Sequence, residues 1–200
     1  MARYYMLHKP KGCISACSDP RRKTVMEIFS PEEREGLFPV GRLDKDTEGL
    51  LLVTDDGELC YNLLSPVSKI PKTYLLFALG SISYDAIQEL EGGVNIYDGE
   101  RGLTSPAIIE VLGSSTLKNI KHLLDGKDVS LADRKPDTVV TELKITIFEG
   151  KKHQVKRMIG YVGSRVLYLK RISMGALVLD DALPVGEYRE LTSDELKRLY

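Results

Sequence analysis

Runs of apolar residues with strand spacing alternate along this chain with segments of helical periodicity. Apolar residues at Leu143, Ile145 and Ile147, with polar residues between them, are typical of a strand that buries one face. The stretch 153–163 instead carries one apolar stripe at helical spacing and ends in a glycine. By these criteria the sequence predicts strands or extended segments at residues 3–9, 36–44, 50–54, 72–80, 105–113, 141–150, 166–171 and 176–179.

Capping signals locate the helices. Ser83 is a typical helix N-cap, and the capping box Ser30-Pro31-Glu32-Glu33 predicts a short helix that begins at Pro31. Thr192 with Glu195 forms a second capping box near the end of the chain. We therefore expect helices at residues 24–29, from 31 onward, 59–64, 84–91, 117–124, 153–163 and from 193 onward.

Strands and helices follow one another without a strict βαβ rhythm, which favours an α+β fold with mainly antiparallel pairing. A chain of 200 residues suits a single domain, residues 1–200, and we expect two lobes at about 1–100 and 101–200. The polar stretch 114–138 is interpreted as an insertion that contains one short helix.

The net charge of −1 argues against a nucleic-acid partner, but the bases are unevenly distributed. Residues 150–171 hold seven bases and no acid, and residues 3–23 hold six bases against one acid. Because phosphate binding depends on local charge, these segments are candidates for an RNA-binding surface, with solvated lysines as the alternative. The three cysteines and three histidines share no metal-site spacing, so we expect no metal. No signal segment or membrane span is evident, and we expect a cytoplasmic protein.

The stretch 41–59, GRLDKDTEGLLLVTDDGEL, sets a charged turn directly against an apolar run. Asp44, Asp46, Glu48 and Asp55 fall near the ligand positions of a calcium loop. Such a loop must lie between two helices and end in glutamate, whereas here an aspartate ends it and an apolar strand fills its second half. A surface turn in which Arg42 pairs with Asp44 is the plainer alternative.

Three segments together resemble the pseudouridine synthases, and most closely the RsuA family, which modifies ribosomal RNA. They are GRLDKDTEGLLLVTDDG at 41–57, KTY at 72–74 and EGKKHQVKRM at 149–158. The segments YYMLHKPKG, VLYLKRISMGALVL and GEYRELTSDEL are similar too, in the family's order. The resemblance implies a two-lobed catalytic domain with a central cleft and an isomerase without cofactor. Members of the family often carry an N-terminal RNA-binding module of the S4 type, and we expect this chain to lack it because the sequence begins almost at the first predicted catalytic strand.

The resemblance also implies roles for individual residues. Asp44 is expected to be the catalytic carboxylate, with Arg42 in the same motif, and Tyr74 is expected to stack on the target base. The cation that pairs with the carboxylate is expected to be Lys156, with Arg157 as the adjacent alternative. Candidate RNA-binding residues are Lys9, Lys11, Lys72, Lys151, Lys152, Gln154, Arg157 and Arg171.

The expected partner is ribosomal RNA or an assembling ribosomal subunit, bound by a monomer. The start and the tail of the chain resemble the small-subunit enzymes, which act on 16S rRNA. An enzyme for large-subunit 23S rRNA, or a non-catalytic RNA-binding protein on the same scaffold, stays open at this point.

Overall fold

The computed structural model describes residues 2–97, 102–124, 131 and 134–199. The chain divides into two compact units: unit 1 comprises Met1–Lys72 and Lys170–Tyr200, and unit 2 comprises Thr73–Leu169. The expected division near residue 100 is therefore wrong. The chain returns to unit 1 at its C-terminal end, because residues 170–200 supply strands to the sheet that the N-terminal segment begins.

The sheet of unit 1 is built around two long apolar strands. Strand β1 (Tyr4–Lys9) pairs antiparallel with β3 (Glu48–Thr54), from Tyr4 opposite Thr54 to Lys9 opposite Gly49. The short strand β2 (Phe38–Pro39) pairs with β3, and β9 (Tyr188–Glu190) pairs with β1, both antiparallel. The last part of β7 (Val166–Met174) runs parallel to the start of β3 and pairs with β8 (Leu177–Val178).

Unit 1 has a core of its own, because almost every residue of β1 and β3 is buried. Two helices belong to this unit: α1 (Gly57–Leu64), which Asp56 caps, and α5 (Ser193–Lys197), which Thr192 caps. A 3-10 helix spans Val25–Ile28. The core residues are Met6, Val40, Leu50, Leu52, Leu59, Leu63, Met174, Leu177, Leu179 and Leu183.

The sheet of unit 2 has the strand order β5-β6-β4-β7. Its strands are β4 (Lys72–Leu79), β5 (Ile108–Thr116), β6 (Val139–Ile147) and the first part of β7. Strands β5 and β6 pair antiparallel, with a bulge between Val111 and Gly113. The helices are α2 (Tyr84–Gly92), α3 (Leu117–Ile120) with a 3-10 turn (Lys121–Leu123), and α4 (Gln154–Tyr161).

The expected α+β class with a mainly antiparallel sheet is confirmed. The helix expected from Pro31 onward is wrong, since residues 31–36 form turns. Both hydrogen bonds of the capping box nevertheless form between Ser30 and Glu33, but Gly36 with φ of +76° follows at once and stops the helix. Part of the expected insertion lies outside the described residues, and its first three residues belong to β5. Among the described residues, no helix is both long and apolar enough to cross a membrane.

Candidate active site

The turn that carries Asp44 lies between β2 and β3 and is fixed at both ends. Gly41, with φ of +76°, turns the chain out of β2, and Thr47 is buried just before β3 begins. Leu43 is buried, and its peptide N–H and carbonyl form hydrogen bonds of 3.0 and 3.2 Å with the hydroxyl of Ser15. The residue that follows, Asp44, is half-buried. A turn anchored by buried neighbours restricts where this carboxylate can point.

Lys9 also binds the turn that carries Asp44. Its side chain is 0 % exposed, and its ammonium donates hydrogen bonds to the carbonyl oxygens of Pro10 (3.0 Å), Asp44 (3.1 Å) and Thr47 (2.9 Å). A buried charge requires such partners because its desolvation is costly. The prediction that Lys9 contacts the RNA backbone is therefore wrong, since the ammonium is shielded from solvent by the turn that it binds.

Strand β3 is positioned at its first residues by β7. Glu48 lies opposite Lys170 and Gly49 opposite Arg171 in the parallel pair. A Cβ atom on Gly49 would lie 2.2 Å from the carbonyl oxygen of Arg171, so only glycine allows this approach. The guanidinium Nε of Arg171 donates to the carbonyl of Leu50 at 2.8 Å, and the residue is 2 % exposed. Arg171 is thus a buried support of β3, and its predicted contact with RNA is wrong.

The KTY motif lies at the start of β4, so Lys72 and Tyr74 are the first and third residues of this strand. Lys72 is half-buried, and its ammonium donates to the carbonyl of Ile70 at 3.0 Å. Burial lowers the pKa of Lys72 from its usual value, and the nearby positive charge of Arg171 lowers this pKa further. Tyr74 is 8 % exposed, so most of its ring is already covered.

Helix α4 carries the HQVKRM motif. His153 precedes it with φ of +54°, and Val155, on the apolar stripe, is buried. Gln154 is also buried: its side-chain amide donates to Glu149 at 2.9 Å, and its side-chain oxygen accepts from the peptide N–H of Lys151 at 2.8 Å. The prediction that Gln154 contacts RNA is wrong, because its polar atoms brace the loop that leads into the helix.

The guanidinium of Arg157 is engaged within unit 2. It lies 4.1 Å from the ring centroid of Tyr97, and its Nη1 donates to the carbonyl of Ile96 at 3.3 Å. The hydroxyl of Tyr97 donates to the carbonyl of Lys152 at 2.7 Å. Lys156, the neighbour of Arg157, is half-buried. Lys156 and Arg157 are the two candidates for the cation that pairs with the catalytic carboxylate, and this pairing stays a prediction.

The remaining predicted residues differ in exposure. Arg42 and Lys152 are exposed, whereas Lys11 is half-buried. Lys151 is half-buried, and its ammonium lies 3.4 Å from a carboxylate oxygen of Glu149. Arg42 and Lys11 in unit 1, and Lys151 and Lys152 in unit 2, are each able to attract phosphate.

The predicted site residues are distributed over both units. Asp44 belongs to unit 1, whereas Tyr74 and Lys156 belong to unit 2, so their grouping stays a prediction. No sequence pattern predicts a role for Ser15, which fixes the turn, or for Tyr97. An ordinary serine or tyrosine carries no local pattern that distinguishes such a role.

The calcium alternative does not fit the structure of the turn. Residues from Glu48 to Thr54, the second half of the required loop, form the extended strand β3. The residues before the turn form β2, so a strand lies on either side where a calcium loop needs a helix.

The sequence of this region matches that of known proteins. The sequence model described as RNA pseudouridylate synthase matches residues 3–160 and therefore includes the turn, the KTY motif and most of α4. The chain belongs to the RNA pseudouridine synthase family. It is thus an isomerase that acts on RNA, of the RsuA-like type.

Relatives match the synthase over nearly its whole length. A protein of Bacillus subtilis named uncharacterized RNA pseudouridine synthase YtzG is 45 % identical over 98 % of this chain and 72 % of its own length. The ribosomal small subunit pseudouridine synthase A of Yersinia pestis is 38 % identical over 97 % of this chain and 71 % of its own.

Solved structures agree with the sequence comparison. A crystal structure of a pseudouridylate synthase has a TM-score of 0.81 and 34 % identity, and covers all of this chain and 74 % of that one. The archaeal box H/ACA sRNP Nop10-Cbf5 complex contains a chain with a TM-score of 0.55 at 16 % identity, with 91 % of this chain and 50 % of that one covered. This second likeness concerns the fold alone.

Proposed function

We propose that the synthase converts a specific uridine of small-subunit ribosomal RNA to pseudouridine, with Asp44 as the catalytic carboxylate. The observation that carries this proposal is the anchored turn: Lys9 and Ser15 hold the backbone around Asp44, and Asp44 is half-buried. Relatives named for the ribosomal small subunit support the choice of RNA.

The reaction breaks the bond between C1′ and N1 of a uridine and joins C1′ to C5 of the same base. The base then loses the proton on C5 and gains one on N1, so no atom leaves the site for good and no redox partner is needed. The carboxylate of Asp44 can act either as nucleophile or as base in this isomerisation.

A carboxylate can do this only in its charged form. A nearby cation stabilises the negative charge of a partly buried carboxylate. We assign this cation to Lys156, because the guanidinium of Arg157 already has partners in Tyr97 and Ile96. Arg42 lies two residues before Asp44 in the same motif and is exposed. We assign it to contact the RNA strand next to the target uridine.

The uridine must also leave its stack to reach the carboxylate. Tyr74 is the aromatic residue proposed to stack on the displaced base, an interaction of about 1–3 kcal/mol. The half-buried bases Lys11 and Lys151 and the exposed Lys152 are proposed to bind phosphates. The same role is proposed for Lys72, at the start of the strand that carries Tyr74. The synthase is proposed to act in the cytoplasm as a monomer.

The test is incubation of the protein with small-subunit rRNA, large-subunit rRNA and 30S particles, followed by mapping of pseudouridine. Asp44→Asn should abolish product while RNA binding persists, and Asp46→Asn, a matched loss of an exposed acid two residues later, should retain activity. Product only in large-subunit RNA would contradict the substrate assignment. Binding without product by the wild type would instead support the non-catalytic alternative.

A further inference from the structure

We propose that Tyr97 is a positioning residue of the synthase, which holds the first turn of α4 and thereby sets the location of Lys156. This inference rests on the proposed function, because it concerns the cation assigned to Asp44. Tyr97 lies outside the motifs that carry the family resemblance.

Tyr97 contacts α4 and the loop before it at two separate points. Its ring lies under the guanidinium of Arg157, on the first turn of the helix, at 4.1 Å. Its hydroxyl donates to the carbonyl of Lys152, in the loop that leads into the helix. The residue before Tyr97 adds a third contact, since the carbonyl of Ile96 accepts from Arg157. These contacts lie on both sides of Lys156 in sequence, so they restrict its backbone from two directions.

The segment that presents Tyr97 is itself tightly built. The backbone N–H of Ile96 donates to the carbonyl of Gly102 at 3.0 Å. A Cβ atom on Gly102 would lie 1.9 Å from the side-chain oxygen of Asn95 and 2.3 Å from the carbonyl oxygen of Tyr97. No other residue than glycine fits there without displacement, so the close approach fixes the backbone from which the tyrosine ring extends.

Glu149 also fixes the loop that leads into α4. The carboxylate of Glu149 accepts from the peptide N–H of Ser105 at 2.8 Å and from the side chain of Gln154 at 2.9 Å. Tyr97 and Glu149 together connect residues 95–97 and Ser105 with residues 149–157. The helix that carries Lys156 is therefore held at its start by side chains, whereas its N-cap, His153, makes no capping hydrogen bond with its side chain.

The position of Lys156 matters because the attraction between two charges falls with distance and with solvent access. A displacement of about 1 Å in a catalytic group can reduce a rate on the order of 100-fold. Loss of Tyr97 should therefore slow the chemical step, while RNA binding by accessible bases is largely preserved. A residue that only stabilised the fold would not separate these two quantities.

The experiment compares wild type with Tyr97→Leu, Tyr97→Phe and Tyr161→Leu, in which Tyr161 is an exposed tyrosine on the same helix. Single-turnover rate and Kd for small-subunit rRNA are measured for each. We expect Tyr97→Leu to lower the rate about tenfold or more with little change in Kd. Tyr97→Phe keeps the ring and should recover most of the rate, and Tyr161→Leu should behave as wild type.

A second arm tests whether Arg157 supports the helix or binds RNA. Lys152→Ala removes an exposed base and should reduce the slope of log Kd against log salt by about one phosphate contact. Arg157→Leu should leave this slope unchanged and lower the rate as Tyr97→Leu does. The inference would be overturned if Arg157→Leu reduced the salt-dependence slope as much as Lys152→Ala does. It would also be overturned if Tyr97→Leu had the same rate as the wild type.

The two proposals can fail separately. A wild type without product on any RNA contradicts the proposed function. In that case, amide hydrogen exchange at residues 154–157 still tests the support that Tyr97 gives to the helix. Faster exchange in Tyr97→Leu than in Tyr161→Leu supports it, and equal exchange overturns it.

Discussion

Replacement of Lys9 by methionine tests whether a buried ammonium holds the turn of Asp44. Methionine is of similar length and apolar, so the substitution removes the charge and its hydrogen bonds without a large change in volume. Lys9 donates to three carbonyl oxygens at 2.9–3.1 Å, one of them the carbonyl of Asp44 itself. In the variant these oxygens lose a charged donor in a region without solvent.

The expected magnitude follows from these contacts. Each hydrogen bond from a charged donor contributes about 1.5–3 kcal/mol, but burial of the ammonium itself costs several kcal/mol. Because the variant no longer buries the charge, the net loss should be smaller than the sum of the bonds. We expect the free energy of unfolding to fall by about 2–4 kcal/mol, which corresponds to roughly 5–12 °C in Tm for a chain of this size.

Urea unfolding followed by circular dichroism measures this loss, with Lys23→Met as the matched control because Lys23 is an exposed lysine of unit 1. The control should stay within about 0.5 kcal/mol of wild type. The salt dependence of RNA binding by Lys9→Met should equal that of wild type. A Lys9→Met variant as stable as the control, or with a weaker salt dependence, would refute the buried role.

Three further predictions concern stability. Gly49→Ala should strongly lower the Tm, because the new Cβ would lie 2.2 Å from the carbonyl oxygen of Arg171 and the φ of this residue is +113°. A variant with the Tm of wild type would contradict the close approach. Gly160→Ala, the matched control in α4 with open space around it, should stabilise by about 0.5–1 kcal/mol in the same assay. A hydrogen bond from Arg189 lowers the pKa of Glu195 to about 2. This pair therefore stabilises the fold above about pH 4.5, and its contribution is lost as the pH falls toward 2. Glu195→Gln should flatten that part of the curve of unfolding free energy against pH, measured by urea unfolding.

Elements with strong local signals could be predicted from the sequence. The alternation at residues 143–147 predicted β6, and Ser83 was identified as the N-cap of α2. The GRLD motif located the turn of Asp44, since the apolar run after it is of strand length. In each case neighbours in sequence determine the structure, so a short window contains the necessary information.

Features that depend on distant partners could not be predicted in this way. Lys9 and Arg171 were counted among the bases of two charged segments, but carbonyl groups from other parts of the chain bury them. The division of the chain was also missed, because it depends on the pairing of Glu48 with Lys170. Neither charge counts nor periodicity reports which strands become neighbours.

The split composition of unit 1 has a consequence for biosynthesis. All residues of unit 2 are contiguous, so every partner within it has left the ribosome soon after Leu169 is added. Strand β1 is translated before unit 2, whereas its neighbour β9 is translated after it. We therefore expect unit 2 to fold first during translation, and β1 to pair with β9 only after the residues that follow unit 2 have been made. A truncation before Tyr188 should leave β1 as an uncovered sheet edge that is prone to aggregation.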